Sequence, residues 1–273
     1  MSRRTVFFVS DQTGVTAETM GHSLLTQFEG QEFRPVTLPF VSSPDKAIEA
    51  VAKINLAATQ EGLKPIIFGT LVNDSVREIV KTSSGLFLDF FDAFLDPMER
   101  ELKVASSHTA GRAHGIADRP AYTARINATN FALSNDDGGG QDYGLADVVL
   151  IGVSRSGKTP TCLYMALQYG VFTANYPLTE DDFEADQMPV PLQPYRHKLY
   201  GLTIKPERLR QIRNERRPNS RYASATQVQF EVRAAETLFQ RHGISYLDTT
   251  ECSIEEIASR IFDKTGIERR VRP

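Results

Sequence analysis

Hydrophobic and polar positions alternate along the chain in two rhythms. Short apolar runs rich in β-branched and aromatic residues read as strands; apolar residues three or four apart between them read as helix faces. Residues 5–10 predict the first strand, and a polar turn from Ser10 to Glu18 leads into a helix carrying Met20, Leu24 and Phe28 at helical spacing. Asp11 or Thr16 would cap that helix. Residues 35–41 predict a second strand. Ser43-Pro44 then supplies an N-cap and N1 proline for a helix with Ala47, Val51, Ile54 and Ala58 on one side, stopped by Gly62. Residues 65–72 give a third strand, Asn73-Asp74 open a helix through Ile79 and Val80, and residues 86–91 give a fourth strand. Asp96-Pro97 is expected to cap a helix over Met98, Leu102 and Val104. Strands alternating with helices imply a parallel sheet covered on both faces. Residues 1–105 thus read as an N-terminal parallel-sheet α/β domain without a dinucleotide-binding fingerprint.

Residues 106–144 break this rhythm and read as an interdomain connection. They hold a short helix over 126–133 and a flexible loop, Asn135-Asp136-Asp137-Gly138-Gly139-Gly140. His108 and His114 have no cysteine partner, so a metal site is not expected there. Arg112 and His114 could touch a phosphate, although a solvated connection is the commoner fate of such residues. From 145 to 273 the alternation resumes. Strands are predicted over 147–151, 171–177, 198–204 and 244–250, and helices over 161–169, from Lys205-Pro206-Glu207, and over Val228, Val232, Ala235 and Phe239. A last helix starts with the capping box Ser253-x-x-Glu256 and buries Ile254, Ile257 and Ile261. The second half reads as a P-loop kinase-like α/β domain, and no internal sequence repeat appears.

The chemistry concentrates at Gly152-Val153-Ser154-Arg155-Ser156-Gly157-Lys158-Thr159, which fits the phosphate-binding pattern G-x-x-x-x-G-K-[ST] at every fixed position. A strand before it and a helix after it are the setting in which consecutive amide N–H groups can cradle a phosphate at the positive end of a helix. Lys158 would follow the transferring phosphoryl group, and the Thr159 hydroxyl would ligate Mg²⁺. The Asn-Lys-x-Asp base-reading motif of GTPases is absent, the one Asp-x-x-Gly (Asp136 to Gly139) precedes the loop, and no strand ends in an evident metal-binding aspartate. Asp181, Asp182 and Asp186 are the nearest candidates for metal or base duty, with a solvated acidic loop as the plain alternative. Arg208, Arg210, Arg213, Arg216 and Arg217 read mostly as a solvated helix face. Arg217 and Arg221, flanking a Pro-Asn-Ser turn, are candidates for phosphate contact, as are Asp11 and Thr13 in the first turn.

Composition changes this picture little. The 273 residues are 41% hydrophobic and 24% charged, ordinary globular usage for about two domains. A net charge of −3 argues against non-specific nucleic-acid binding. No apolar run approaches a membrane span, the N-terminal run is too short for a signal peptide, and two cysteines make no disulfide framework, so a cytoplasmic protein is expected.

Longer stretches resemble one family, the bacterial regulatory proteins of phosphoenolpyruvate synthase, relatives of the pyruvate, phosphate dikinase regulatory proteins. The resemblance runs along almost the whole chain. It rests on Ser10-Asp11-x-Thr13-Gly14-x-Thr16-Ala17-Glu18, Thr37-Leu38-Pro39-Phe40-Val41, Asn135-Asp136-Asp137-Gly138, residues 152–161 and Ala174-Asn175-Tyr176-Pro177. It continues through His197-Lys198-Leu199-x-Gly201-Leu202-Thr203-Ile204 and Glu215-Arg216-Arg217-x-Asn219-Ser220-Arg221-Tyr222-Ala223-Ser224. The resemblance implies a bifunctional enzyme that phosphorylates a threonine of phosphoenolpyruvate synthase with ADP as donor, inactivating it. The same enzyme would remove that phosphate with inorganic phosphate, releasing pyrophosphate. The implied target threonine lies beside the target's catalytic histidine. The same activity on pyruvate, phosphate dikinase, a small-molecule P-loop kinase and a non-catalytic ADP-sensing module are the alternatives, with a homodimer left open.

Overall fold

The computed structural model describes residues 3–107, 119–140, 143–185 and 187–271; His108, Arg112, His114 and Asp186 lie outside them. The chain divides into two compact units, Met1–Gly115 and Ile116–Pro273.

In the first unit, β1 (Arg4–Ser10), α1 (Val15–Leu25), β2 (Phe33–Leu38), α2 (Pro44–Glu61), β3 (Ile66–Thr70), α3 (Asp74–Lys81), β4 (Leu86–Asp89) and α4 (Phe90–Leu102) follow one another. The four strands are parallel in the order β2-β1-β3-β4. Residues of β1 alternate between two cores. Phe7 and Val9 join Ile54, Val76 and Val80 from α2 and α3, whereas Val6 and Phe8 join Ala17 and Phe90 from α1 and α4. Burial on both faces is why these strands read as near-continuous apolar runs. Ser43 caps α2 through the Lys46 N–H and Gly62 ends it in a left-handed conformation, as the sequence predicts.

Two expectations fail here. Met20, Leu24 and Phe28 are exposed, and α1 buries the neighbouring stripe instead, Ala17 and Gly21. The helix lies so close to the sheet that a Cβ on Gly21 would come within 2.5 Å of the Phe8 ring, leaving room for small residues only. Asp96-Pro97 does not start a helix; Asp89 does, accepting the N–H groups of Phe91 at 2.8 Å and Asp92 at 3.1 Å. This cap shortens the fourth strand and leaves Pro97 inside α4.

The second unit runs α5 (Arg119–Ser134), β5 (Val148–Gly152), α6 (Lys158–Tyr169), β6 (Thr173–Pro177), α7 (Glu180–Glu184), β7 (Leu199–Thr203), α8 (Pro206–Arg216), α9 (Ala225–Arg241), β8 (Tyr246–Asp248) and α10 (Ile254–Thr265). Its strands are parallel in the order β6-β5-β7-β8. That is the same permutation as in the first unit, a repeat of topology that no sequence repeat announces. In both, the first strand leads to a helix whose N-cap is a left-handed glycine, Gly14 or Gly157, without a side-chain cap. The helix expected over 126–133 is longer and packs on α6 through Ala128, Ala132 and Ala166. Ser253 caps α10, but the Glu256 carboxylate turns to Arg260 rather than closing the capping box, and Ile254 is exposed. Among the described residues no helix is long and apolar enough to cross a membrane. The chain is α/β throughout, as its rhythm predicts.

Candidate active site at the glycine loop

Buried Val148–Gly152 places the loop at the carboxyl end of a central strand, where ligands meet open parallel sheets. The two fixed glycines have separate reasons. A Cβ on Gly152 would sit 2.2 Å from the Leu202 carbonyl oxygen of β7, so no side chain fits. Gly157 starts α6 at φ 93°, a conformation that costs other residues energy. Lys158 is the first residue of α6 and is buried. Its Nζ donates 2.9 Å to the Val153 carbonyl, folding back under the loop. Burial lowers the Lys158 pKa to about 8, against the opposing pull of Asp137, Cys162 and Asp136.

Beside Lys158 lies a polar cluster drawn from three segments. The Thr159 hydroxyl donates 2.8 Å to Asp136 Oδ1, and the Asn175 amide at the centre of β6 also donates to that oxygen. Asn175 Oδ1 accepts the Asp137 N–H at 3.0 Å, and the Asn175 N–H reaches the Asn135 carbonyl at 3.1 Å. The stretch expected as a flexible loop is therefore an ordered 3₁₀ turn, Asp136–Gly138, pinned against the loop's threonine. Asparagine at the fully buried position 175 explains the order: its amide bonds both the Asp137 N–H of the turn and one oxygen of the Asp136 carboxylate. Asp136 precedes the loop in the chain, so the loop motif alone does not point to it; its signal in the sequence is its place in the run Asn135-Asp136-Asp137-Gly138.

Of the other acidic candidates among the described residues, Asp182 is engaged elsewhere. Asp182 Oδ2 accepts the Thr179 N–H and hydroxyl, each at 2.9 Å, and Oδ1 accepts the Tyr176 hydroxyl at 3.1 Å. It closes a capping box on α7 rather than facing the loop. Asp181 is exposed.

The arginines divide differently from the expected solvated face. Arg213 is fully buried, one turn after buried Leu209 on the inner face of α8. Its Nη2 donates to Ser154 O at 3.1 Å and Glu231 Oε2 at 2.6 Å, Nη1 donates to Tyr222 O at 3.0 Å, and the guanidinium lies 4.1 Å from the Tyr222 ring centre. Tyr222 and Ser154 hydroxyls meet at 2.8 Å, so the loop is fastened to the turn after α8 at two points. The i, i+4 spacing of Leu209 and Arg213 was the readable signal. Arg221 is exposed and pairs with Glu180 at 3.2 Å. Arg217, also exposed, follows the last turn of α8, and its side chain makes no hydrogen bond or ion pair among the described residues. Cys162 is buried, its thiol pushed up to about 12 by burial, and is no nucleophile.

Asp11 and Thr13 belong to the first unit. The buried Asp11 carboxylate accepts the Val72 N–H at 3.0 Å, tying the end of β1 to the segment after β3, and burial raises its pKa. Neither Asp11 nor Thr16 caps α1, and Thr13 is exposed beside its left-handed Gly14.

The geometry thus gathers a glycine loop, a buried lysine, a threonine hydroxyl and a carboxylate, the inventory for moving a phosphoryl group. Comparison with known proteins agrees. A family model described as kinase/pyrophosphorylase matches residues 6–262. A protein of Alcanivorax borkumensis named "Putative phosphoenolpyruvate synthase regulatory protein" is 55% identical over 271 residues, 99% of this chain and all of its own length. One of the same name from Pseudomonas putida is 53% identical over 99% of this chain and its whole length, and another from Pseudomonas aeruginosa is 53% identical over 99% of both. The chain belongs to the kinase/pyrophosphorylase family of phosphoenolpyruvate synthase regulatory proteins.

Proposed function

We propose that this chain phosphorylates a threonine of phosphoenolpyruvate synthase with ADP as donor, inactivating it, and removes that phosphate with inorganic phosphate, releasing pyrophosphate. The observation that carries the reading is the Asp136 carboxylate 2.8 Å from the Thr159 hydroxyl at the loop that ends in buried Lys158. The synthase is favoured as target over the dikinase because the relatives carry its name.

In transfer from ADP, residues 152–159 bind the nucleotide phosphates through backbone N–H groups and Lys158. The target threonine Oγ bonds to the β-phosphorus while the bond from that phosphorus to the α–β bridging oxygen breaks. AMP leaves with the electron pair, and the threonine proton passes to Asp136, which acts as the base. In the other reaction an oxygen of inorganic phosphate bonds to the phosphothreonine phosphorus, the P–Oγ bond breaks to give pyrophosphate, and Asp136 returns a proton to Oγ. The Thr159 hydroxyl offers a hard oxygen donor that suits Mg²⁺, an ion that takes much of its shell from substrate phosphates and water. When bound, the ion would neutralise charge on the transferring group. Arg217 and Arg221 are proposed to contact the incoming phosphate, with Arg221 leaving Glu180 to do so. Asp11 and Thr13 remain proposed phosphate or substrate contacts of the first unit.

The test is incubation with purified synthase and ADP labelled in the β-phosphate, followed by phosphoamino-acid analysis. Label on a threonine is expected, released as pyrophosphate on adding inorganic phosphate. Label on a small metabolite, or on nothing, would refute the reading.

A further inference from the structure

Residues 153–156 form a tight turn closed by the Ser156 N–H to the Val153 carbonyl at 3.3 Å. Of its two central residues only Arg155 has positive φ, 76°, the sign pattern of a type II turn, in which glycine is the ordinary occupant of that position. The second unit's other non-glycine residues at positive φ include Asp137 and Asn219, types that tolerate the conformation; arginine does not. An arginine kept where glycine would be easier points to its side chain.

Within the loop, the Ser154 side chain and carbonyl are held by Tyr222 and Arg213, and the Lys158 amine folds back onto the Val153 carbonyl. Arg155 is exposed and makes no hydrogen bond or ion pair with any described residue. Lys158, with a pKa lowered to about 8 by burial, loses its charge above that pH, where a guanidinium keeps its own. The permanent cation of the loop's own turn is Arg155.

We propose that the Arg155 guanidinium is a catalytic group supplied in cis by the loop, bonding the transferring phosphoryl oxygens more strongly in the transition state than in the ground state. This rests on the phosphoryl-transfer reading above. As the threonine oxygen bonds to the β-phosphorus and the bond to the bridging oxygen breaks, charge spreads over the equatorial oxygens and the departing AMP oxygen. The planar fork of arginine matches two such oxygens at once, and the rigid turn fixes its origin. The inverse reaction, with inorganic phosphate attacking the phosphothreonine, develops the same equatorial charge and uses the same group.

The experiment compares the full chain with Arg155→Gly and Arg155→Lys, measuring ADP affinity, kcat in both reactions and melting temperature. Arg155→Gly suits the turn's backbone, so it is expected to fold with an unchanged melting temperature. Its kcat in both directions should fall about 10²- to 10³-fold, with ADP affinity changed by less than about tenfold because ground-state binding rests on the backbone. Arg155→Lys should recover little, lacking the fork. A kcat for Arg155→Gly within about threefold of the parent, or a loss confined to KM, overturns the proposal. A parent that moves no label from ADP to the synthase overturns the underlying reading as well, which separates the two failures.

Discussion

Arg213 gives the sharpest quantitative test of how the loop is held. The substitution Arg213→Met keeps much of the side chain's apolar volume and removes its charge. Three hydrogen bonds disappear, to Ser154 O, Tyr222 O and Glu231 Oε2, together with the stacking on Tyr222. The larger effect is what remains. The Glu231 side chain, 11% exposed, keeps among the described residues only the Gln227 amide, on its other oxygen at 3.0 Å. Breaking a buried pair from one side costs about 3–5 kcal/mol, because an unpaired charge stays behind. The Gln227 contact places this case near the lower end, about 3 kcal/mol. For a unit of this size that corresponds to a melting shift of roughly 6–12 °C. The chain has no tryptophan, so scanning calorimetry or far-UV circular dichroism suits better than intrinsic fluorescence. The double variant Arg213→Met/Glu231→Met removes both charges and should regain most of that stability. Its ADP affinity should stay weakened, because Ser154 O and Tyr222 O are still untethered. A single variant losing less than about 1 kcal/mol, the range of an exposed pair, would refute the account of Arg213 as a buried strut.

Two further predictions concern the loop directly. The Lys158 amine has a folded pKa lowered to about 8 by burial, so above that pH the free protein must take up a proton to present a cation to phosphate. ADP affinity measured by calorimetry should therefore be flat below about pH 8 and weaken by up to about tenfold per unit above it; a flat profile to pH 10 would contradict this. Gly152→Ala should cost more than about 3 kcal/mol, since the new methyl meets a sheet carbonyl at 2.2 Å that cannot move aside. Gly62→Ala, also at positive φ but into open space, should cost only about 1 kcal/mol by the same melting assay.

The strands and most helix starts were legible because each rests on local chemistry. Ser43, Asn73, Ser224 and Ser253 accept N–H groups of the next turn wherever the chain places them, and apolar runs suit a sheet covered on both sides. What stayed hidden depends on distance in space. The stripe Met20, Leu24, Phe28 has helical spacing, but the inward face of α1 was chosen by the gap above Phe8 and Phe68, which admits only Ala17 and Gly21. Asp89 outranked Asp96 as a cap because β4 ends there, a fact of sheet pairing. At the site, the loop was readable in full, since its constraints are backbone constraints. Asp136 was not, because a carboxylate arriving from before the loop is recruited by Asn175, a polar residue inside a strand whose role only the fold reveals. Arg213 hid among surface arginines of similar spacing and is told apart only by what it packs against.

The placement of Asp136 bears on whether one site serves both of the proposed reactions. Transfer from ADP and attack by inorganic phosphate differ in the nucleophile and leaving group on the phosphate side, but they share the threonine half: one makes the P–Oγ bond and the other breaks it. A group that removes the Oγ proton in the first must return one in the second, so a single site uses one carboxylate as base and then as acid. Asp136 is suited to both roles, because Thr159 and Asn175 bond the same oxygen, Oδ1, and Oδ2 takes no hydrogen bond among the described residues. Asp136→Asn preserves the shape and removes the proton acceptor. It should lower kcat for both reactions about 10²- to 10⁴-fold, by factors that agree within several-fold, while ADP affinity holds. Steady-state assays in the two directions on the same preparation make the comparison. A variant that lost the kinase reaction and kept the phosphate-dependent one would show that the two reactions handle the threonine at different places.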